Sequence, residues 1–179
     1  MEDSYIRLFE KYGYGTTIWS PLGGGILTGK YNEGTIPEES RYQKNQMFKN
    51  FAWDKYMGED KIEKSKKIFK ELKEAAEEIG VTQAQLALAW TLVNKDVSSC
   101  IIGASKLSQM ESNLKALEIA ANWTPELEEK IANILDNQPS PQMNWLTWTP
   151  LEPRRQTSLK YGMELGKVEY RAADHTDYD

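Results

Sequence analysis

The chain has 179 residues, 40% hydrophobic and 27% charged, with a formal net charge of -5 at pH 7. The composition is globular and the length suits one domain with a buried core. The acidic balance excludes a nucleic-acid surface, which needs a basic stripe, and no apolar run reaches the ~20 residues of a membrane helix.

In chain order, residues 2–11 read as the end of a helix, with Tyr5, Ile6, Leu8 and Phe9 apolar and Gly13 as the stop. Thr16–Trp19 is short, β-branched and aromatic, and predicts a strand. Residues 30–58 carry glycine, proline and many polar residues and read as a long irregular loop, of the kind that forms functional lids or disorder. Over residues 59–79, Ile62, Phe69, Leu72, Ala76 and Ile79 recur at helical spacing. Glu63–Lys67, Lys67–Glu71, Lys70–Glu74 and Lys73–Glu77 form i,i+4 pairs on the solvated side, each contributing roughly 0.2–0.5 kcal/mol. Gly80 suits a left-handed stop. Thr82-x-x-Gln85 is a capping box opening a helix whose stripe is Leu86, Ala89, Trp90 and Val93. Val97–Ile102 predicts a second strand, closed by Gly103-Ala104-Ser105. Ser108-x-x-Glu111 is another capping box, with Met110, Leu114 and Leu117 facing inward. Thr124-Pro125 places a cap and a first-turn proline before Leu127, Ile131, Ile134 and Leu135. From residue 138 prolines recur and the chain reads as an extended tail. It holds Trp145, Trp148 and Arg154-Arg155-x-Thr157, which resembles a basophilic kinase site.

Strands alternating with helices argue for parallel β/α units. Two short strands expose both edges and cannot support four amphipathic helices. Further strands are therefore expected, from upstream sequence or another chain. One cysteine, Cys100, excludes an internal disulfide and a multi-cysteine zinc site. With His175 as the sole histidine, no metal site is expected. The start MEDSYIRLFEKYG lacks the apolar stretch of a secretory signal, and a cytoplasmic setting fits.

Two glycine motifs invite a nucleotide reading. Gly13-Tyr14-Gly15 lacks the third glycine of a dinucleotide fingerprint and precedes a strand where the fingerprint should follow one. Gly24-x-x-x-x-Gly29-Lys30 matches a P-loop until Tyr31, where that motif needs a magnesium-binding hydroxyl. A different phosphate signal lies in the strand ends. Both predicted strands run into small-residue turns, Ser20–Gly25 and Gly103–Ser105, and the second leads into a helix N-terminus that attracts anions. Such turns at the carboxyl ends of parallel strands are either phosphate cradles or merely tight turns.

IWSPLGGGILTGKY at Ile18–Tyr31, SRY at Ser40–Tyr42, GVTQAQLALAWTL at Gly80–Leu92 and SSCIIGASKLSQMESNLKAL at Ser98–Leu117 together resemble the C-terminal half of an aldo-keto reductase. The flavour is that of the potassium-channel beta-subunit branch and its fungal relatives. The resemblance implies an α/β fold. Residues 1–137 would be the last part of a (β/α)8 barrel, carrying strands 7 and 8, followed by the tail at 138–179. It implies NADPH as cofactor, with Ser20, Pro21, Leu22 and Gly23 along the pyrophosphate and ribose and Trp19 near the nicotinamide. Lys30, Ser40 and Arg41 match the positions holding the adenosine end and its phosphates. Gly103, Ser105, Gln109 and Asn113 match those gripping the 2′-phosphate and adenine. The family usually has Glu immediately before that Asn, where this chain has Ser112. The catalytic Asp, Tyr, Lys and His belong to the first half of the barrel, so no residue here receives a catalytic role and the chain alone is expected to be inactive. A small carbonyl compound is the implied substrate of the complete enzyme. A channel alpha subunit or a second copy of the chain is the implied partner, with neither nucleic acid nor membrane insertion involved.

Overall fold

The structure, a computed structural model, describes residues 6–137. The readings placed on 138–179, including Trp145, Trp148, the kinase-like site and His175, lie outside the described residues.

The elements are α1 (Ile6–Tyr12), β1 (Thr16–Trp19), a 3-10 segment (Gly23–Thr28), α2 (Arg41–Lys44), α3 (Gln46–Phe48), a π-helical stretch (Lys49–Trp53), α4 (Asp54–Met57), α5 (Ile62–Glu78), α6 (Gln83–Leu92), β2 (Val97–Ile101), α7 (Leu107–Leu114), α8 (Ala116–Ala121) and α9 (Pro125–Leu135). β1 and β2 pair in parallel, with Thr16 opposite Val97, Thr17 opposite Ser99, Ile18 opposite Cys100 and Trp19 opposite Ile101. The register slips between Thr16 and Thr17, so Ser98 is the extra residue of a bulge. A Cβ on Gly15 would lie 1.8 Å from Ser98 Oγ and 3.1 Å from Ser98 Cβ, so the Ser98 side chain would have to move to admit one. Thr16 anchors the start of the pair by donating both its backbone N–H and its Oγ1 to the Asp96 carbonyl, at 2.8 Å each.

Local chemistry explains the helix ends. The Gly80 N–H donates to the Glu77 carbonyl and the Val81 N–H to the Ala76 carbonyl, both at 3.0 Å, with Gly80 at φ +72. This is the Schellman closure that a glycine after the last turn allows. In α6 the Thr82 N–H donates to Gln85 Oε1 at 2.9 Å, and the Gln85 N–H donates to Thr82 Oγ1 at 3.2 Å, completing the predicted capping box. Thr124 caps α9 by accepting from the Leu127 N–H, with Pro125 at the first helical position.

α6 is the central element. It packs against α5, α7, α8, β2 and the 3-10 segment, and buries Leu86, Leu88 and Ala89 together with Gln83 and Gln85. A helix in contact on so many sides has no wide polar face. Leu86 belongs to a larger cluster with Ile26, Tyr31, Tyr42, Trp53, Met57, Phe69, Leu72 and Ile131. Leu88 and Ala89 join Ala116 in a smaller one on another side.

Several expectations need correction. Residues 41–57 form short helical turns rather than an irregular loop, and Tyr42, Ala52, Trp53 and Met57 reach the core. Ile79 is 43% exposed because the α5 cap turns it outward. Glu63 pairs with Lys66 at 3.3 Å rather than with Lys67. The box at Ser108 does not form: α7 begins at Leu107, Lys106 occupies the cap position, and no side chain caps it. Leu114 and Leu117 are 52% and 58% exposed, because the helix breaks at Lys115 and Ala116 becomes the buried residue.

Candidate functional site

The carboxyl ends of β1 and β2 open into a groove of about 1010 Å³, at the upper end of the ~300–1,000 Å³ usual for ligand sites. From β1 and its turn come Trp19, Ser20, Pro21 and Leu22; from the following segment come Lys30, Ser40 and Arg41; from β2 and α7 come Gly103, Ser105, Gln109 and Asn113. Of the residues singled out in the sequence, only Gly23 does not line this groove. Gly24 and Gly25 do.

The turn after β1 is tightly specified. Ser20 has φ +54, uncommon for a residue with a side chain, and its Oγ accepts from the Gly24 N–H at 2.9 Å. Gly23, Gly24 and Gly25 follow at φ +59, +72 and +108. A Cβ on Gly24 would come within 3.2 Å of the Tyr42 hydroxyl and 3.4 Å of Ala52, so the backbone lies flat against the core. The Tyr42 hydroxyl in turn donates to the Gly23 carbonyl at 3.1 Å. Gly23 thus supports the groove from behind. The P-loop likeness dissolves here: Gly24 lies in a 3-10 segment, no helix starts at Lys30, and Tyr31 is a core residue, 3% exposed.

An aromatic cluster carries the cationic wall. Tyr31, Tyr42 and Trp53 have ring centroids 4.9–5.9 Å apart. Ser40, itself buried, caps α2 through the Gln43 N–H and shares a hydrogen bond with Tyr31. This sets the next residue, Arg41, at the groove, where its guanidinium lies 3.7 Å from the centroid of the Phe48 ring. Burial pushes the Tyr42 phenol up to about 12, and burial raises Tyr31 as well, so both stay neutral beside Arg41. Glu39 also lines the groove, but it is ion-paired with Lys44 on the side away from Lys30 in sequence. Lys30 and Arg41 therefore leave an excess of positive charge.

The opposite wall is built from α6 and α7. Ser105 donates its N–H and its Oγ to Gln109 Oε1, both at 3.1 Å, which closes the turn after β2. The buried Gln85 donates Nε2 to the Ser112 carbonyl at 2.8 Å and to Ser112 Oγ at 3.1 Å. One glutamine thereby caps the start of α6 and holds the end of α7. Cys100 lies on β2 opposite Ile18; burial raises its thiol, and it is not part of the groove lining. Among the described residues no cluster of His, Cys, Asp or Glu could hold a metal ion.

Residues that the sequence did not point to include Glu39 and Phe48. Phe48 and Glu39 sit in the polar 30–58 stretch, where turns of three or four residues leave no periodicity to read.

Residues 2–134 match the Aldo/keto reductase family. The chain belongs to this family. A probable voltage-gated potassium channel subunit beta of Arabidopsis thaliana is 40% identical over 139 residues, covering 78% of this chain and 40% of the relative. The corresponding protein of Oryza sativa subsp. japonica is 41% identical over 139 residues, with the same coverage. A putative voltage-gated potassium channel subunit beta of Schizosaccharomyces pombe is 46% identical over 138 residues, covering 77% of this chain and 39% of the relative. The chain thus spans about 40% of the length of these curated relatives. Membership in the aldo/keto reductase family implies a (β/α)8 fold, and the described residues form an α/β arrangement with two parallel strands. None of the described helices is long and apolar enough to cross a membrane.

The donor set suits a phosphorylated dinucleotide. The groove offers two cations, several hydroxyls and a glycine turn with close backbone approach. It also offers an exposed indole, Trp19, at the end of β1.

Proposed function

We propose that this chain is the NADP(H)-binding portion of an aldo-keto reductase-type oxidoreductase. β1 and β2 are read as the last two strands of the barrel. The observation that carries the reading is convergence: the turns after two parallel strands and the cationic Lys30–Ser40–Arg41 wall, separated in sequence, line one groove. When bound, the cofactor supplies a hydride to a carbonyl carbon.

In this reading the chain's residues bind and orient. The Ser20–Leu22 turn faces the pyrophosphate, its shape fixed by the Ser20–Gly24 bond. Lys30 and Arg41 meet phosphate charge, with Arg41 held in place on Phe48. Trp19 flanks the nicotinamide. Gln109 and Asn113 face the adenosine end. No residue here is assigned proton transfer to the carbonyl, so the 179-residue chain is expected to show no turnover with NADPH and an aldehyde.

NADPH titration followed by tryptophan quenching tests the binding claim. Quenching should saturate, and Arg41→Ala should raise Kd roughly 10- to 100-fold, the range for losing a charge-assisted hydrogen bond. Arg41 is exposed, so the substitution should leave the fold intact. Absence of quenching sinks the proposal.

A second reading is regulatory. It is favoured by the relatives, which carry the name of potassium channel beta subunits. Here cofactor occupancy tunes contact with a channel's cytoplasmic segment. Failure of such a segment to retain the purified chain would remove this reading and leave the oxidoreductase one.

A further inference from the structure

Resting on the cofactor reading above, we infer that Phe48 is a positioning residue for Arg41: placed by the π-helical stretch that follows it, its ring holds the guanidinium at the groove before any ligand arrives. The backbone between the two residues brings them together. Asn45 is extended, at φ -141, and separates α2 from α3. Its N–H donates to the Arg41 carbonyl at 3.0 Å, and its Oδ1 accepts from the N–H groups of Met47 and Phe48 at 3.0 and 3.3 Å. One asparagine thus joins the backbone of Arg41 to that of Phe48. Across this turn the guanidinium lies 3.7 Å from the centroid of the Phe48 ring.

The same ring reaches the glycine turn. A Cβ on Gly24 would meet Ala52 Cβ at 3.4 Å and Phe48 Cδ1 at 4.0 Å. Trp53, the next residue, packs on Tyr42 with ring centroids 5.9 Å apart, and the Tyr42 hydroxyl donates to the Gly23 carbonyl. Phe48, Ala52 and Trp53 therefore all pack toward the turn, although they stand at i, i+4 and i+5. An α-helix turns by about 100° per residue and would carry i+5 about 140° away from i. Lys49–Trp53 is wound more widely: the Asp54 N–H donates to the Lys49 carbonyl, five residues back. The wider turn lets both i+4 and i+5 share the side of i. Such turns are rare and are found mostly at functional sites. Here the turn sets Phe48 between Gly24 and Arg41, and all three line the groove.

The consequence is for binding. A free arginine side chain samples many rotamers, and fixing it on a ligand costs affinity. A ring that already holds the guanidinium through its π face removes part of that cost.

NADPH should be titrated by tryptophan quenching against the 179-residue chain, Phe48→Leu, Arg41→Ala and the double variant. Leucine keeps an apolar side chain near Gly24 and removes the ring. Phe48→Leu should raise Kd about two- to tenfold, the range for ordering one long side chain on binding. Phe48→Tyr should bind as the parent does. In the Arg41→Ala background, Phe48→Leu should change Kd by less than about twofold, because the residue through which it acts is gone. An equal loss in both backgrounds would show a merely structural role. Tighter binding by Phe48→Leu would show that the ring withholds Arg41 from the ligand. Either result overturns the inference, as does an unchanged Kd. Deleting Asn50, an exposed residue within the stretch, lets the segment wind as an α-helix and should weaken NADPH at least as much as Phe48→Leu. A deletion chain that unfolds cooperatively and binds as the parent does also overturns the inference. If that chain does not fold, the Phe48 and Arg41 cycle, which leaves the backbone unaltered, decides. With NADPH bound by the parent, every one of these contrary results leaves the cofactor reading standing. A parent chain that shows no quenching removes both.

Discussion

At the residue scale, the groove depends on side chains that fix the shape of its backbone. Ser20 holds a left-handed backbone, a conformation costing on the order of 1–3 kcal/mol, and its Oγ bond to the Gly24 N–H offsets part of that. Ser20→Ala keeps the strain and loses the bond, whereas Ser20→Gly loses the bond and relieves the strain. The alanine variant should therefore unfold at lower urea than the glycine variant, by about 1 kcal/mol. The opposite order would show that the Ser20 backbone is not strained. Tyr42 offers a second test. Its phenol is raised to about 12, first by burial and then by the neighbouring Tyr31. Because the folded value lies above the unfolded value near 10, the stability Tyr42 contributes is fully present below pH 10. It is lost as the pH rises from 10 toward 12, by an amount on the order of 2 kcal/mol. Urea midpoints at pH 8 and pH 11 should fall further for the parent chain than for Tyr42→Phe. The variant loses only the bond to the Gly23 carbonyl, about 1 kcal/mol at neutral pH.

At the scale of elements, the informative residue is Gln85, which joins α6 to α7. Gln85→Ala removes half of the capping box, both side-chain bonds to Ser112, and one of the two donors to the Ser112 carbonyl, the other being the Lys115 N–H at 3.3 Å. The cost should be roughly 2–3 kcal/mol in urea denaturation, against about 1 kcal/mol for the exposed Gly80→Ala at the α5 cap. Equal losses at the two sites would mean that the Gln85 bridge contributes little. The capping box of α6, the glycine stop of α5 and the Thr124 cap of α9 were all legible, because each is written in residues next to one another. The path from 41 to 57 was not. Its helical turns are too short to show a period, and Tyr42, Trp53 and Met57 are buried by partners far along the chain, on α5 and α6. The failed box at Ser108 has a similar cause. The motif was present, but the helix is entered two residues earlier, with Lys106 at the cap and Leu107 as the first helical residue. The site was legible where glycine and serine punctuate the strand ends. It was obscure where a distant side chain, Gln85 on Ser112 or Phe48 under Arg41, does the positioning.

At the scale of the whole molecule, the described residues carry exposed apolar surface. Trp19 and Ile101 are register partners at the ends of the two strands and are 66% and 57% exposed. Along α7 and α8, Leu107, Leu114 and Leu117 are 75%, 52% and 58% exposed. Each strand has one strand neighbour among the described residues, so the outer edges of a parallel pair present unpaired backbone groups. Unpaired edges and clustered apolar side chains favour association. On the reading that β1 and β2 close a larger barrel, the same surfaces would meet the rest of that barrel. For the 179-residue chain by itself, light scattering should then show an average mass that rises with concentration. The pair of substitutions Leu107→Lys and Leu114→Lys should lower it without loss of helical signal, since both side chains are already in solvent. Cofactor should act on a different part of the association. Trp19 and Ile101 line the groove, so saturating NADPH would cover them and reduce association through the strand ends, while contacts through α7 and α8 persist. A chain that stays monomeric at every concentration, with cooperative unfolding, would show that two strands and their helices are stable without a partner.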